Sequence, residues 1–298
     1  MIDPAIKLIA VVGPTASGKS DLALNLAKKH RGEILCADSR TVYRGLDIGA
    51  AKPSAADQAA VPHHLLDIVD PDHLLSVAEF KRLAEAAAED VARRGNLPLL
   101  VGGSGLYIDS LLYDYQFPSE ADPTARIELE LLSTAELLER LETVDPGALE
   151  TIDKANRRRL IRAVETAGQP LSRTSVVRAN TLVIGITLNK DVMQERITQR
   201  IEKMLSQGFL DEVATLGEQY GWQSEAMSGI GYRALKEAVQ GTKTVAEAAQ
   251  EFARGDMRLV KKQLTWFKRN KSIHWVTNHA EAEALVQEFL TTSQQPRE

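Results

Sequence analysis

Cys36 is the one cysteine in a chain of 298 residues. A lone thiol builds neither a disulfide framework nor a cysteine-rich zinc site. Set in an apolar run, it reads as a small core residue. Long apolar stretches are lacking too: nothing approaches the ~20 residues that cross a bilayer. The opening MIDPAIKLIAVVG enters a short apolar strand without the charged start, longer apolar core and cleavage site of a secretory leader. A cytoplasmic protein with no membrane contact is expected. Positive charge is not in excess either. Lys and Arg number 36 against 41 Asp and Glu, a formal net charge of −5. The molecule as a whole is therefore no generic polyanion binder, and any nucleic-acid surface must come from local clusters of Lys and Arg.

What remains is an ordinary globular composition, 44% hydrophobic and 26% charged, long enough for one large α/β domain with an insertion. Short apolar runs alternate with helical patterns. Ile6–Val12, Glu33–Ala37, His64–Val69, Leu99–Val101, Leu182–Leu188 and Ile273–Val276 read as strands. Asp21–His30 reads as a helix, and Ser76 with Glu79 forms a capping box opening a helix that runs to Gly95. Strands separated by helix-length segments imply a mostly parallel sheet flanked by helices.

Residues 117–180 differ, being rich in helical pattern and poor in strand. Glu120–Asp153 carries ten acids and two bases, and Lys154–Arg162 five bases and no acid. This region is expected to be a helical insertion into an α/β core of residues 1–116 and 181–298. An ordinary pair of surface helices is the plainer alternative, and the return to strand pattern at Leu182 argues for the insertion. The polar tail Thr291–Glu298 is expected to fray.

Four segments carry chemistry. Gly13-Pro-Thr-Ala-Ser-Gly-Lys-Ser20 is a full G-x-x-x-x-G-K-S, placed between a strand and a helix as the motif requires. In such a loop the glycines let successive backbone N–H groups converge on phosphate oxygens. The helix N-terminus adds its positive dipole end, and Ser20 is the usual Mg²⁺ ligand. The motif binds a polyphosphate without saying which. Asp38-Ser-Arg-Thr-Val-Tyr43 follows the second strand, on the rim where open parallel sheets bind ligands; Asp38 is suited to be a general base, a magnesium ligand or a helix N-cap. Gly102-Gly-Ser-Gly-Leu-Tyr107 ends another strand and brings Ser104 to the same rim, though a plain strand-to-helix turn explains it equally. Arg254–Lys271 holds seven bases and one acid and reads as a helix tracking a phosphate backbone; its Trp266 and Phe267, at helical spacing, read more readily as core than as base-stacking rings.

Together and in this order the segments resemble the tRNA dimethylallyltransferases (tRNA isopentenyltransferases). The resemblance spans almost the whole chain through GPTASGKS, DSRTVYRGLDIGAAKP, HHLLDIVDP, SVAEF, LVGGSGLY, ADPTAR, NRRRLIRAVE, RIEKML, GIGYRAL and KKQLTWFKR. It implies a P-loop NTPase-like fold that holds dimethylallyl pyrophosphate instead of a nucleoside triphosphate. Gly13, Thr15, Ala16, Ser17, Gly18, Lys19 and Ser20 would bind the pyrophosphate, with Mg²⁺ on Ser20. Asp38 would be the general base toward the exocyclic amine of an adenine flipped out of the anticodon loop. Ser104 would lie near the leaving oxygen and the amine. Ser39, Arg40, Thr41, Arg126, Arg158, Arg159 and Arg162 match residues that face tRNA in the family, and Lys261 and Lys262 of the basic segment join them. The partner implied is the tRNA anticodon stem-loop, bound by a monomer. Three positions depart from the family's usual residues: Thr41 replaces Gln, and Ala50 and Ser104 each replace Thr. The stretch Ala163–Gly168 is also about three residues shorter than usual.

Rival readings are a small-molecule P-loop kinase or ATPase, an adenylate isopentenyltransferase, and an RNA-binding protein with a vestigial P-loop. The lack of a carboxylate in GGSGLY weighs against the first. The basic segment and the insertion weigh against the second, and the intact Lys19-Ser20 with Asp38 against the third.

Overall fold

The computed structural model describes residues 1–117, 123–166, 169 and 172–292. In chain order the elements are β1 (Leu8–Val12), α1 (Lys19–His30), β2 (Gly32–Cys36), α2 (Ala55–Ala60), β3 (His63–His64), α3 (Val77–Arg93), β4 (Leu97–Gly102) and α4 (Gly105–Leu112). Next come α5 (Pro123–Leu131), α6 (Thr134–Val144) and α7 (Arg157–Thr166). The chain returns through β5 (Thr181–Ile186), α8 (Lys190–Ser206), α9 (Phe209–Tyr220), α10 (Ile230–Val239), α11 (Val245–Phe267), β6 (Ile273–Val276) and α12 (His279–Thr292).

The strands form one sheet in the order β3-β2-β4-β1-β5-β6, and every pairing is parallel. Both faces are covered, so the central strands are apolar throughout and their side chains alternate between two cores. Leu8, Ala10 and Val12 of β1 join the cluster that includes α3, α4 and α8 to α11. Ile9 and Val11 join the cluster with Leu22 and Leu26 of α1 and Val286 of α12. Five strands lie within two residues of their predicted positions.

The sixth does not. Of His64–Val69, read as a strand, only His64 joins the sheet, in the two-residue β3 with His63. Leu65 and Asp67 take positive φ of 67° and 53°, which breaks the extended run. Ile68 and Val69 instead donate to Val42 O. The box at Ser76 is also half formed: Ser76 accepts from Glu79 N–H at 3.1 Å, while the Glu79 carboxylate faces His73 Nε2 at 3.3 Å.

Two compact units result, Met1–Asp114 with Val176–Glu298, and Tyr115–Ser175. The second unit has its own apolar cluster, centred on Leu137, Leu141, Leu160 and Ile161. In the tail, residues 293–298 lie outside the described residues, as do 167 and 168 of the stretch expected to be shortened.

Candidate active site

The phosphate-loop sequence forms the turn between β1 and α1. Gly18, in the left-handed region at φ 90°, is the N-cap of α1, so the helix begins at Lys19. The side chain of Ser17 is buried, and its Oγ has no hydrogen-bond partner among the described residues. An unpaired buried hydroxyl in a phosphate loop is suited to a polar ligand. Lys19 Nζ donates to Pro14 O at 3.3 Å. Burial pushes its ammonium below the ordinary lysine value, Asp38 opposes that shift and Arg200 adds to it.

Asp38 and Ser104 meet because β2 and β4 are neighbours. A Cβ on Gly102 would lie 1.9 Å from Ala37 O; only glycine lets the two strand ends approach so closely. Ser39 N–H then donates to Ser104 Oγ at 2.9 Å, so this hydroxyl ties the two rim loops together instead of capping α4. Asp38 Oδ1 accepts Arg40 N–H at 2.8 Å, an Asx turn that orients the half-buried carboxylate. Thr41, buried, donates from Oγ1 to Asp38 O at 3.4 Å.

Two cavities of about 610 and 620 Å³ share Thr15, Lys19, Asp38, Ala50 and Arg200 on their walls. The first is lined by the phosphate loop, Arg196 and Lys203. The second is lined by Ser104, the rim loop and apolar side chains that include Leu106, Ile230, Phe252, Leu259 and Trp266. The first gathers cations around the phosphate loop; the second, the more apolar of the two, also carries Arg40, Arg233, Lys262 and Asp256, and Lys19 and Asp38 belong to both walls.

Several residues of this site had no role assigned from the sequence. Arg200 donates from Nη1 to Thr15 Oγ1 at 2.6 Å and pairs with the buried Asp256 through Nη2. Burial raises the Asp256 carboxyl, and Arg200 pulls it back. Arg196 Nη1 donates to Ser17 O at 3.4 Å. Gln263 accepts from Thr15 N–H and donates to Gly103 O, each at 2.9 Å. Asp256 thus joins Asp38 as a carboxylate on the wall of the second cavity. Cys36 also lines the first cavity, but burial, with Asp38 adding to it, pushes its thiol up to about 12, so it is inert as a nucleophile.

The expected RNA-facing residues divide by environment. Lys261 and Lys262 on α11 are exposed. Trp266, half-buried, donates from Nε1 to Asp109 at 2.8 Å, and Phe267 is core. Arg40 is turned onto Glu225, with Nη1 2.8 Å from its carbonyl oxygen. In the second unit Arg126 and Arg162 share the carboxylate of Glu165, at 2.8 and 3.3 Å; Arg158 and Arg159 are exposed.

A family model described as IPP transferase matches residues 41–270. The chain belongs to the IPP transferase family. Curated relatives of this family include the tRNA dimethylallyltransferase of Roseiflexus sp., 43% identical over 97% of this chain and 98% of its own length. That of Pelotomaculum thermopropionicum is 38% identical over 95% of each. Among solved structures, the tRNA isopentenylpyrophosphate transferases of Bacillus halodurans and Staphylococcus epidermidis are each 34% identical, with TM-scores of 0.72 and 0.73. Those alignments cover 97% of this chain and 99% and 100% of theirs. A eukaryotic dimethylallyltransferase described as acting on tRNA shares the fold, with a TM-score of 0.84 at 20% identity over 98% of this chain and 81% of that one. This IPP transferase is thus an enzyme, a prenyltransferase.

Proposed function

We propose that this enzyme transfers a dimethylallyl group from dimethylallyl pyrophosphate to the exocyclic amine of the adenosine next to the anticodon in tRNA, releasing diphosphate. The family and its curated relatives support tRNA dimethylallyl transfer. The finer reading rests on the wall that the two cavities share. With the diphosphate against the phosphate loop and the adenine in the apolar cavity, the first carbon of the prenyl chain lies between Lys19 and Asp38. The amine nitrogen attacks that carbon, the carbon–oxygen bond breaks, and diphosphate leaves with the bonding pair. Lys19 and the loop amides stabilise the growing negative charge. Asp38 accepts the amine proton, which matters because an aryl amine is a weak nucleophile. Ser104, already bonded to the Asp38 loop, orients the amine.

Magnesium is proposed on Ser20. Among the described residues no group of three His, Cys, Asp or Glu side chains is placed to hold a metal. The donors present fit Mg²⁺, which takes few protein ligands and fills its shell with substrate phosphate oxygens and water. When bound it would supply further charge to the diphosphate.

Recognition of tRNA is assigned to Asp38, Ser39, Arg40, Thr41 and Ser104 at the cavity, to Lys261 and Lys262, and to Arg126, Arg158, Arg159 and Arg162. The decisive measurement is nucleoside mass spectrometry of tRNA incubated with the enzyme and dimethylallyl pyrophosphate. A gain of one dimethylallyl unit on adenosine is expected. Steady ATP turnover of about 1 s⁻¹ or more, in the ordinary enzyme range, without that gain would overturn the reading in favour of a kinase or ATPase.

A further inference from the structure

The loop Asp47–Ala51 belongs to no strand or helix, yet it borders both cavities: Ala50 lines each, Gly49 the more apolar one and Ala51 the one at the phosphate loop. Its conformation is held from outside by Glu212 in the first turn of α9. Glu212 Oε2 accepts the N–H groups of Asp47 at 3.1 Å and Ile48 at 2.7 Å. Oε1 accepts that of Gly49 at 3.0 Å and the hydroxyl hydrogen of Tyr232 at 2.6 Å. Three successive backbone N–H groups converging on one point form a nest, the arrangement that elsewhere binds a free anion. Here the protein's own carboxylate fills it.

Packing reinforces the seat. A Cβ on Gly49 would stand 2.2 Å from the Phe209 ring and 2.6 Å from Tyr232, so the loop lies flat on these two rings. They meet edge to face at 5.1 Å. Tyr232 also lines the apolar cavity, and its hydroxyl hydrogen is committed to Glu212.

We propose that Glu212 is a positioning residue for the transfer reaction: its carboxylate fixes the Asp47–Ala51 loop and the Tyr232 side chain, and through them the wall shared by the two cavities. The proposal rests on reading those cavities as donor and acceptor sides of prenyl transfer. No other side chain holds the amides of Asp47, Ile48 and Gly49 in the described hydrogen bonds. A glutamine in place of Glu212 has one carbonyl oxygen, and in either orientation its NH₂ faces backbone N–H groups, those of Asp47 and Ile48 or that of Gly49, as donor against donor. The loop then leaves its seat, and the misplaced wall slows the chemical step more than it weakens docking of tRNA.

The test compares wild type, Glu212→Gln, Glu212→Ala and Tyr232→Phe in steady-state transfer to tRNA, with rates normalised to folded enzyme by circular dichroism. Wild-type activity comes first, since its absence would sink the proposed function and not the role of Glu212. With active wild type, Glu212→Gln is expected to lose about 10–100-fold in kcat, the cost of a small misplacement at a reacting centre, with KM for tRNA within about twofold. Tyr232→Phe, which removes one donor and leaves three, loses about threefold or less. Formate, entering the emptied nest of Glu212→Ala, raises its rate, while chloride at equal ionic strength does not. Normal kcat in Glu212→Gln, or a loss accounted for wholly by unfolded protein, overturns the proposal. Should Glu212→Ala fail to fold, Glu212→Gln and Tyr232→Phe decide the matter.

Discussion

Asp38→Asn preserves the Asx turn to Arg40 N–H and removes only the proton acceptor. Turnover should fall ~10²–10⁴-fold while tRNA affinity stays within about twofold of wild type by filter binding. Near-normal turnover would end the general-base assignment. A second carboxylate illustrates a different use of charge. Glu33, buried at the start of β2, accepts from Arg94, Asn96 and His64. Burial alone would raise its carboxyl; those three partners outweigh burial and lower it from 4.5 to about 2. Because the folded value is the depressed one, the stabilisation is complete above the unfolded value and disappears as pH falls through the folded value. Glu33→Gln should therefore cost about 2–3 kcal/mol at pH 7. The deficit should shrink from about pH 4.5 downward and vanish near pH 2. Urea midpoints of both proteins across that range check it, and a deficit independent of pH would mean that packing, and not charge, is lost.

At the scale of elements, α11 divides its faces: Phe252, Val260 and Phe267 go to the core, Lys261 and Lys262 to solvent. Neutralising both lysines to Gln should weaken tRNA binding and flatten its salt dependence by ~0.7–0.9 log units for each phosphate that the enzyme no longer neutralises. The dissociation constant of dimethylallyl pyrophosphate should not change. An unaltered slope would leave these lysines as ordinary solvated side chains. Which elements were legible in the sequence follows from how far each signal reaches. The phosphate loop and Asp38 announce themselves because a few adjacent residues on a strand end make the feature. Buried parallel strands are equally plain, as continuous apolar runs. His64–Val69 misled because its apolar residues satisfy the Tyr43 loop and not the sheet, a distinction made by φ at Leu65 and Asp67. Arg200, Gln263 and Glu212 reach the site from helices 160 or more residues beyond the loops they hold. No local pattern encodes such pairings; RIEKML and KKQLTWF flagged the segments without saying what their polar side chains grip.

For the molecule as a whole, the second unit owns a core that shares no residue with the two clusters around the sheet. Leu137→Ala removes a fully buried side chain from it and should cost ~2–5 kcal/mol. Native-state hydrogen exchange should show faster amides in α6 and α7 and unchanged protection in β1 and β4. Acceleration spread evenly over both units would mean that they unfold as one. If the assigned arginines meet tRNA as proposed, their pairing has a consequence for how RNA is sampled. Arg126 and Arg162 arrive already neutralised by Glu165 and Glu130, and Arg40 is paired with Glu225. When a phosphate takes such an arginine, the abandoned carboxylate collects a cation from solution, cancelling the one the phosphate gave up. The arginines then contribute shape and hydrogen-bond geometry with little pull on arbitrary polyanions. A chain of net negative charge can thus let go of wrong RNAs quickly and linger only where the folded stem and loop repay the exchange of partners.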